Sequence, residues 1–209
     1  GCEEPACVRD CPATIDIPYG RLLTREYAAE RARQIDMARA RPPDEVMPGL
    51  GRPAARAAAG GDTVYLCAVD DAGLAVSLIQ SVYFEFGSAF VPEGTGILLQ
   101  NRGSFFSLDP EHPNALAPGK RTFHTIIPAM ALQNGQPALL LGTMGGEGQP
   151  QTQAAMLTRM VDYGYDVQEA IEAPRWLYGR TWGEESRSLK LEGRIPDGVA
   201  AELKRRGHA

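Results

Sequence analysis

An α+β fold with an antiparallel sheet is what the order of residue patterns predicts, because strand-type runs precede helical ones. Two β-rich runs, Thr63 to Val69 and Leu74 to Gln80, flank the turn residues Asp70-Asp71-Ala72-Gly73. Two more, Ile126 to Gln133 and Gln136 to Leu141, flank Asn134-Gly135, a dipeptide suited to a tight hairpin turn. After Gly145-Gly146 the apolar period changes from that of a strand to that of a helix.

Before the first hairpin the chain is less regular. Residues 1–20 hold three Cys and four Pro without periodicity and read as an irregular lead-in. From Arg21 to Asp36 the composition turns to Ala, Arg and Glu, and Thr24 can cap a helix that includes Tyr27, Ala28 and Ile35. Residues 40–62 carry Pro42, Pro43, Pro48 and Pro53 and end in Gly60-Gly61-Asp62, which predicts an exposed, cleavable linker. Beyond the second hairpin, Gln151 to Tyr163 reads as a helix, with Ala155, Leu157, Met160 and Val161 on or near one face. Asp166 with Glu169 fits the N-terminus of a second helix that Pro174 limits. Pro196-Asp197 starts a last helix that ends near Gly207.

The composition excludes several classes. The 209 residues allow one sizeable domain, and 21 Lys plus Arg against 26 Asp plus Glu give a formal charge of −5. A mildly acidic chain lacks the electrostatic footprint of a nucleic-acid binder. No apolar run approaches the roughly 20 residues of a membrane-spanning helix. No basic stretch followed by an apolar one opens the chain, so no export signal is expected in it, and the compartment stays open. Cys2, Cys7 and Cys11 cluster without C-x-x-C pairing or a nearby His, which argues against a metal site. Cys67 lies inside an apolar run and reads as a small buried hydrophobe on a strand.

The boundary between Asp62 and Thr63 carries the most chemistry. A break of the chain there would place the Thr63 hydroxyl and a new α-amine on one residue. That amine titrates near pH 7.7–8.0, low enough to take the hydroxyl proton without a catalytic His. Spacing alone favours an ordinary strand-starting Thr. Gly145-Gly146 likewise reads locally either as a plain strand-to-helix turn or as backbone N–H groups open to an oxyanion.

A resemblance shifts both readings. Thr63-Val-Tyr-Leu-Cys-Ala-Val-Asp70, Gly73-Leu-Ala-Val-Ser77, Phe86-Gly87-Ser88 and Gly94 to Asn101 look like the start of the small subunit of γ-glutamyltranspeptidases. Pro118 to Arg121, Gly142-Thr-Met-Gly-Gly146, Asp162-Tyr-Gly164 and Glu172-Ala-Pro-Arg175 continue the match in order, from about Arg21 to the last residue. The resemblance implies an αββα-sandwich N-terminal-nucleophile hydrolase, made as a precursor that cuts itself between Asp62 and Thr63. It implies Thr63 as nucleophile, Gly145 and Gly146 as oxyanion hole, and Ser81 in place of a second, assisting Thr. No metal or organic cofactor is implied.

The substrate-pocket positions depart from the family pattern. Arg102 and Phe105 stand where γ-glutamyl enzymes have a Gln and an Asp, Tyr83 replaces an Asn, and His124-Thr125 replace paired serines. An Asp that anchors an ammonium is electrostatically unlike a Phe, whereas Arg102 suits a carboxylate clamp. His124 reads as a hydrogen-bond partner or a satisfied core histidine. This variant set resembles a branch close to the cephalosporin (glutaryl) acylases.

The domain expectation is a lead-in over 1–20, the end of a large subunit and its cleavage linker over 21–62, and a small catalytic subunit over 63–209 that is incomplete at its C-terminus. The expected partners are the remainder of a large subunit, a γ-glutamyl or glutaryl-type amide, and water or an amine as acceptor. Nucleic acid and membrane are not expected. The function expected is amide hydrolysis or acyl transfer through an acyl-enzyme. Acylase chemistry by the same mechanism and a non-catalytic remnant are the alternatives.

Overall fold

The computed structural model describes residues 19–42, 45–46, 63–180 and 186–208. The lead-in cysteines, Asp62 and most of the 40–62 linker lie outside the described residues. The chain forms two compact units, Gly1–Ala55 with Phe105–Phe123, and Arg56–Ser104 with His124–Ala209.

The first unit contains helix α1 (Tyr19–Leu22) and helix α2 (Arg25–Ala32). Thr24 caps α2 as its sequence predicts, its side chain accepting from the Tyr27 N–H at 3.1 Å. The helix stops short of Asp36 because it has no apolar face to bury: none of its residues is buried, and Ile35 is exposed. The loop over 105–123 is organised by the buried Asn114, whose amide donates to the Phe105 carbonyl at 2.7 Å and to Thr122 Oγ1 at 3.2 Å. Its Oδ1 accepts from the Phe123 N–H, and Phe105 meets Phe123 edge-on with ring centroids 5.3 Å apart.

The second unit holds three antiparallel hairpins, each a two-stranded sheet among the described residues. Strands β1 (Val64–Val69) and β2 (Ala75–Gln80) pair with Tyr65 opposite Ile79 and Cys67 opposite Ser77. Their turn closes on Asp70, whose Oδ1 accepts from the N–H groups of Ala72 and Leu74, while Gly73 takes φ +81°. Strands β3 (Ala129–Gln133) and β4 (Gln136–Leu141) turn at Asn134-Gly135, both at positive φ. Helix α3 (Gln149–Val161) follows the Gly-Gly turn, and α4 (Val167–Glu172) begins with the Asp166–Glu169 capping box. Arg159 of α3 donates to the carbonyls of Ala170, Ala173 and Pro174, satisfying the C-terminal end of α4. Strands β5 (Trp176–Tyr178) and β6 (Leu189–Leu191) and helix α5 (Asp197–Arg205) complete the unit.

Strand alternation decides what the first hairpin presents. Thr63, Tyr65, Ile79 and Ser81 fall on one face, and the Tyr65 hydroxyl pairs with Ser77 Oγ at 3.1 Å. Ser77 Oγ donates in turn to the Ala129 carbonyl at 3.0 Å, tying this face to β3. The opposite face, with Val64, Leu66, Val76 and Leu78, is exposed. Cys67 is also exposed, contrary to the sequence expectation of burial: it sits toward the turn, where neither face is covered. The largest fully buried side chains among the described residues are Arg102 and Gln149, so the centre of this unit is polar.

Tyr65 also packs on Gly142, just past β4, where a Cβ would come within 2.2 Å of the ring. Gly142→Ala is therefore expected to destabilise the fold by about 1–3 kcal/mol, the range for overpacking a filled site. An unchanged melting temperature would show that the ring moves aside at no cost.

Candidate active site

The hairpin register sets Thr63 opposite Ser81 at the open end of β1 and β2. The Thr63 hydroxyl donates to Ser81 Oγ at 3.1 Å. Ser81 Oγ also accepts from the Tyr83 N–H at 3.1 Å and from Arg102 Nη2 at 3.1 Å. Arg102 Nη1 donates to Thr125 Oγ1 at 2.6 Å, and the guanidinium carbon lies 5.0 Å from the centroid of the Tyr83 ring. Thr63, Ser81, Tyr83, Arg102 and Thr125 thus form one hydrogen-bonded cluster drawn from four separate stretches of chain.

Arg102 is 1% exposed and makes no ion pair with a carboxylate of the described residues; its Nε, also buried, has no hydrogen-bond partner among them. Burial pulls its pKa below the usual guanidinium value, and Tyr83 offsets this only in part. A buried cation is normally paired, since burying an isolated charge costs several kcal/mol even after relaxation. Tyr83, which covers the guanidinium, holds φ +76°, a strained value for an aromatic residue. Burial, and then the Glu147 carboxylate, push its phenol above the ordinary value.

Gly145 and Gly146 also take positive φ, 122° and 49°, conformations that suit glycine best. A short 3₁₀ turn, Gly146–Gly148, joins them to α3, with the Gly148 N–H donating to the Gly145 carbonyl at 2.8 Å. Glu147 inside this turn pairs with Arg180 at 3.0 Å. The first turns of α3 are pinned by amide side chains. Gln149 accepts from the Ile127 N–H at 3.1 Å, Gln153 donates to the Ile127 carbonyl at 2.6 Å, and Gln151 bonds both backbone groups of Tyr178 at 2.9 Å.

His124 is exposed, yet partial desolvation and then the Arg102 cation hold its pKa below 6.5. Phe105 is buried in the first unit against Phe123. Sequence reading missed Glu147–Arg180 and the three glutamines. A separation of 33 residues between ion-pair partners leaves no local pattern, and Gln at helix positions looks like surface.

Comparison with known proteins decides the family. The model of the family described as gamma-glutamyltranspeptidase matches residues 6–209. This chain belongs to the γ-glutamyltranspeptidase family. It is 53% identical over 197 residues to the glutathione hydrolase-like YwrD proenzyme of Bacillus subtilis, and 50% identical over 197 residues to the oxamate amidohydrolase proenzyme of Klebsiella pneumoniae. Each match covers 94% of this chain but 35% of the relative, so the chain spans about a third of their length. Among solved structures it resembles the cephalosporin acylase from Bacillus halodurans, with TM-score 0.75 and 41% identity over 94% of this chain and 33% of that one. The fold of the γ-glutamyltranspeptidase-family chain is accordingly part of an N-terminal-nucleophile hydrolase fold.

The proximity of His124 to Arg102 gives a direct check on the site's electrostatics. His124 is expected to titrate below pH 6.5, and Arg102→Gln to move its midpoint upward, because removing a nearby cation favours the imidazolium. NMR titration of the His124 ring reads both. A midpoint unmoved by Arg102→Gln would place the two groups out of electrostatic reach.

Proposed function

We propose that this chain is the catalytic part of an amide hydrolase or acyltransferase in which Thr63 is the nucleophile. The observation that carries the reading is the hydrogen bond from the Thr63 hydroxyl to Ser81 Oγ, beside a buried guanidinium without a carboxylate partner. Self-cleavage between Asp62 and Thr63 frees the Thr63 α-amine. Ser81 Oγ already accepts N–H bonds from Tyr83 and Arg102 and is a poor base, so the amine takes the Thr63 proton. Oγ1 then attacks the amide carbonyl, and the N–H groups of Gly145 and Gly146 stabilise the oxyanion. The C–N bond breaks, the leaving amine takes the proton from the ammonium, and an acyl ester remains on Thr63. Water or an acceptor amine releases the acyl group by the reverse proton path.

Arg102 holds a substrate carboxylate, with Thr125 and Tyr83 supporting the guanidinium and His124 at the margin of the pocket. The remainder of a large subunit is the proposed partner, and the exposed apolar face of Val64, Leu66, Val76 and Leu78 is a surface it would cover. The scheme calls for neither metal nor organic cofactor. Resemblance to a cephalosporin acylase supports a second reading in which the acyl group is of glutaryl type.

Thr63→Ala in the full-length protein is expected to leave a single uncut band, because the hydroxyl that makes the N→O acyl shift is gone. Cleavage before residue 63 at an unchanged rate would remove Thr63 from the mechanism. An unaltered protein that is never cut would mark a non-catalytic remnant. Arg102→Lys is expected to raise KM about tenfold or more with a smaller effect on kcat, because Lys lacks the planar fork. Unchanged kinetics on a carboxylate-bearing amide would demote Arg102 to a structural role.

A further inference from the structure

We propose, resting on the reading of Thr63 as nucleophile, that the substrate's carboxylate lies within one carbon of the scissile carbonyl. The preferred acyl groups are then those of oxalic and malonic monoamides, and γ-glutamyl or glutaryl amides are poor substrates. The argument begins with two hydrogen bonds that share one atom. Arg102 Nη2 and Thr63 Oγ1 each lie 3.1 Å from Ser81 Oγ. The guanidinium nitrogen and the nucleophile are therefore no more than about 6 Å apart.

The second observation is the route of access. Thr125 occupies Nη1, the ring of Tyr83 covers the guanidinium face, and Thr125 and Tyr83 are themselves buried. Ser81 and Thr63 are only half-buried. A carboxylate reaching Arg102 enters past Thr63, lies deepest, and leaves the scissile carbonyl behind it on the same path. A charge-assisted N–H···O contact takes about 2.8 Å of that path. About 3 Å then separates the carboxylate oxygen from a carbonyl carbon level with Thr63. Oxygen and carbon joined through one C–C bond of about 1.5 Å, or through one methylene, fit that interval. Three methylenes overshoot it and carry the carbonyl beyond the nucleophile unless the chain folds back.

The third observation is charge. Arg102 has five N–H donors, two of them used by Thr125 and Ser81, and Nε is buried with no hydrogen-bond partner among the described residues. An unpaired buried cation is discharged by a small dianion-like ligand edge, and the short acids supply a carboxylate flanked directly by a second carbonyl. Nothing in this cluster is anionic, so the arrangement offers no partner for the ammonium of a γ-glutamyl group.

The test is a homologous series, oxamate, malonamate, succinamate and glutaramate, hydrolysed by the full-length protein after cleavage before Thr63 has been verified. The expected result is kcat/KM at least about tenfold higher for the first two than for the last two, with Arg102→Gln bringing the ratio close to one. Equal or better hydrolysis of glutaramate overturns the inference and leaves Thr63 as nucleophile. A preference for short acids that persists in Arg102→Gln overturns Arg102 as its source. No turnover of any member by correctly cut protein overturns the underlying reading as well. Should Arg102→Gln fail to fold, the series on the unaltered protein still decides the chain-length preference.

Discussion

Burying Arg102 constrains the rest of the site. A guanidinium removed from water and given no carboxylate must be satisfied by neutral oxygen atoms and by an aromatic face. Thr125 and Ser81 supply the oxygens and Tyr83 the face, at the expense of a left-handed backbone at Tyr83. Because Ser81 also accepts the Thr63 hydroxyl, the position of the cation and that of the proposed nucleophile are set together. The positive charge beside Thr63 disfavours protonation of nearby groups, the direction in which His124 is shifted.

The glycine turn is held by a different device. Three glutamines in the first turns of α3 bind backbone groups of Ile127 and Tyr178, which leaves no choice in where the helix starts. Buried amide-to-backbone bonds are directional, and each leaves a costly unsatisfied group if broken. Ile127 lies two residues from Thr125, so the clamp links the placement of Gly145-Gly146 to the residue that holds Arg102. The Glu147–Arg180 pair fixes the same turn from the other direction, with the Arg180 side chain 11% exposed.

Within the family the pocket has changed sign. Positions that hold a Gln and an Asp in γ-glutamyl enzymes carry Arg102 and Phe105, so an element suited to an ammonium gives way to one suited to a carboxylate. Phe105 packs into a loop built on Asn114 rather than standing as a polar anchor. The fold tolerates this exchange because the catalytic pair sits on the rigid end of a hairpin, whereas the anchors come from segments after it.

Local chemistry was fully legible in the residues. Asp70 and Asn134-Gly135 specify their turns, Thr24 and Asp166 cap their helices, and strand alternation puts Thr63 and Ser81 on one face, because each depends on neighbours within a few positions. The extent of α2 and the exposure of Cys67 were not, since both turn on what packs against them. Pairing of Ser81 with Arg102, of Thr125 with Arg102 and of Glu147 with Arg180 joins residues 21, 23 and 33 positions apart. Nothing periodic in a sequence encodes such distances. The sequence by itself determined the elements, the family and the candidate nucleophile. Only the tertiary structure decided that Arg102 is buried without a counter-ion beside Thr63, because burial and charge pairing are properties of the assembled surroundings and not of a residue.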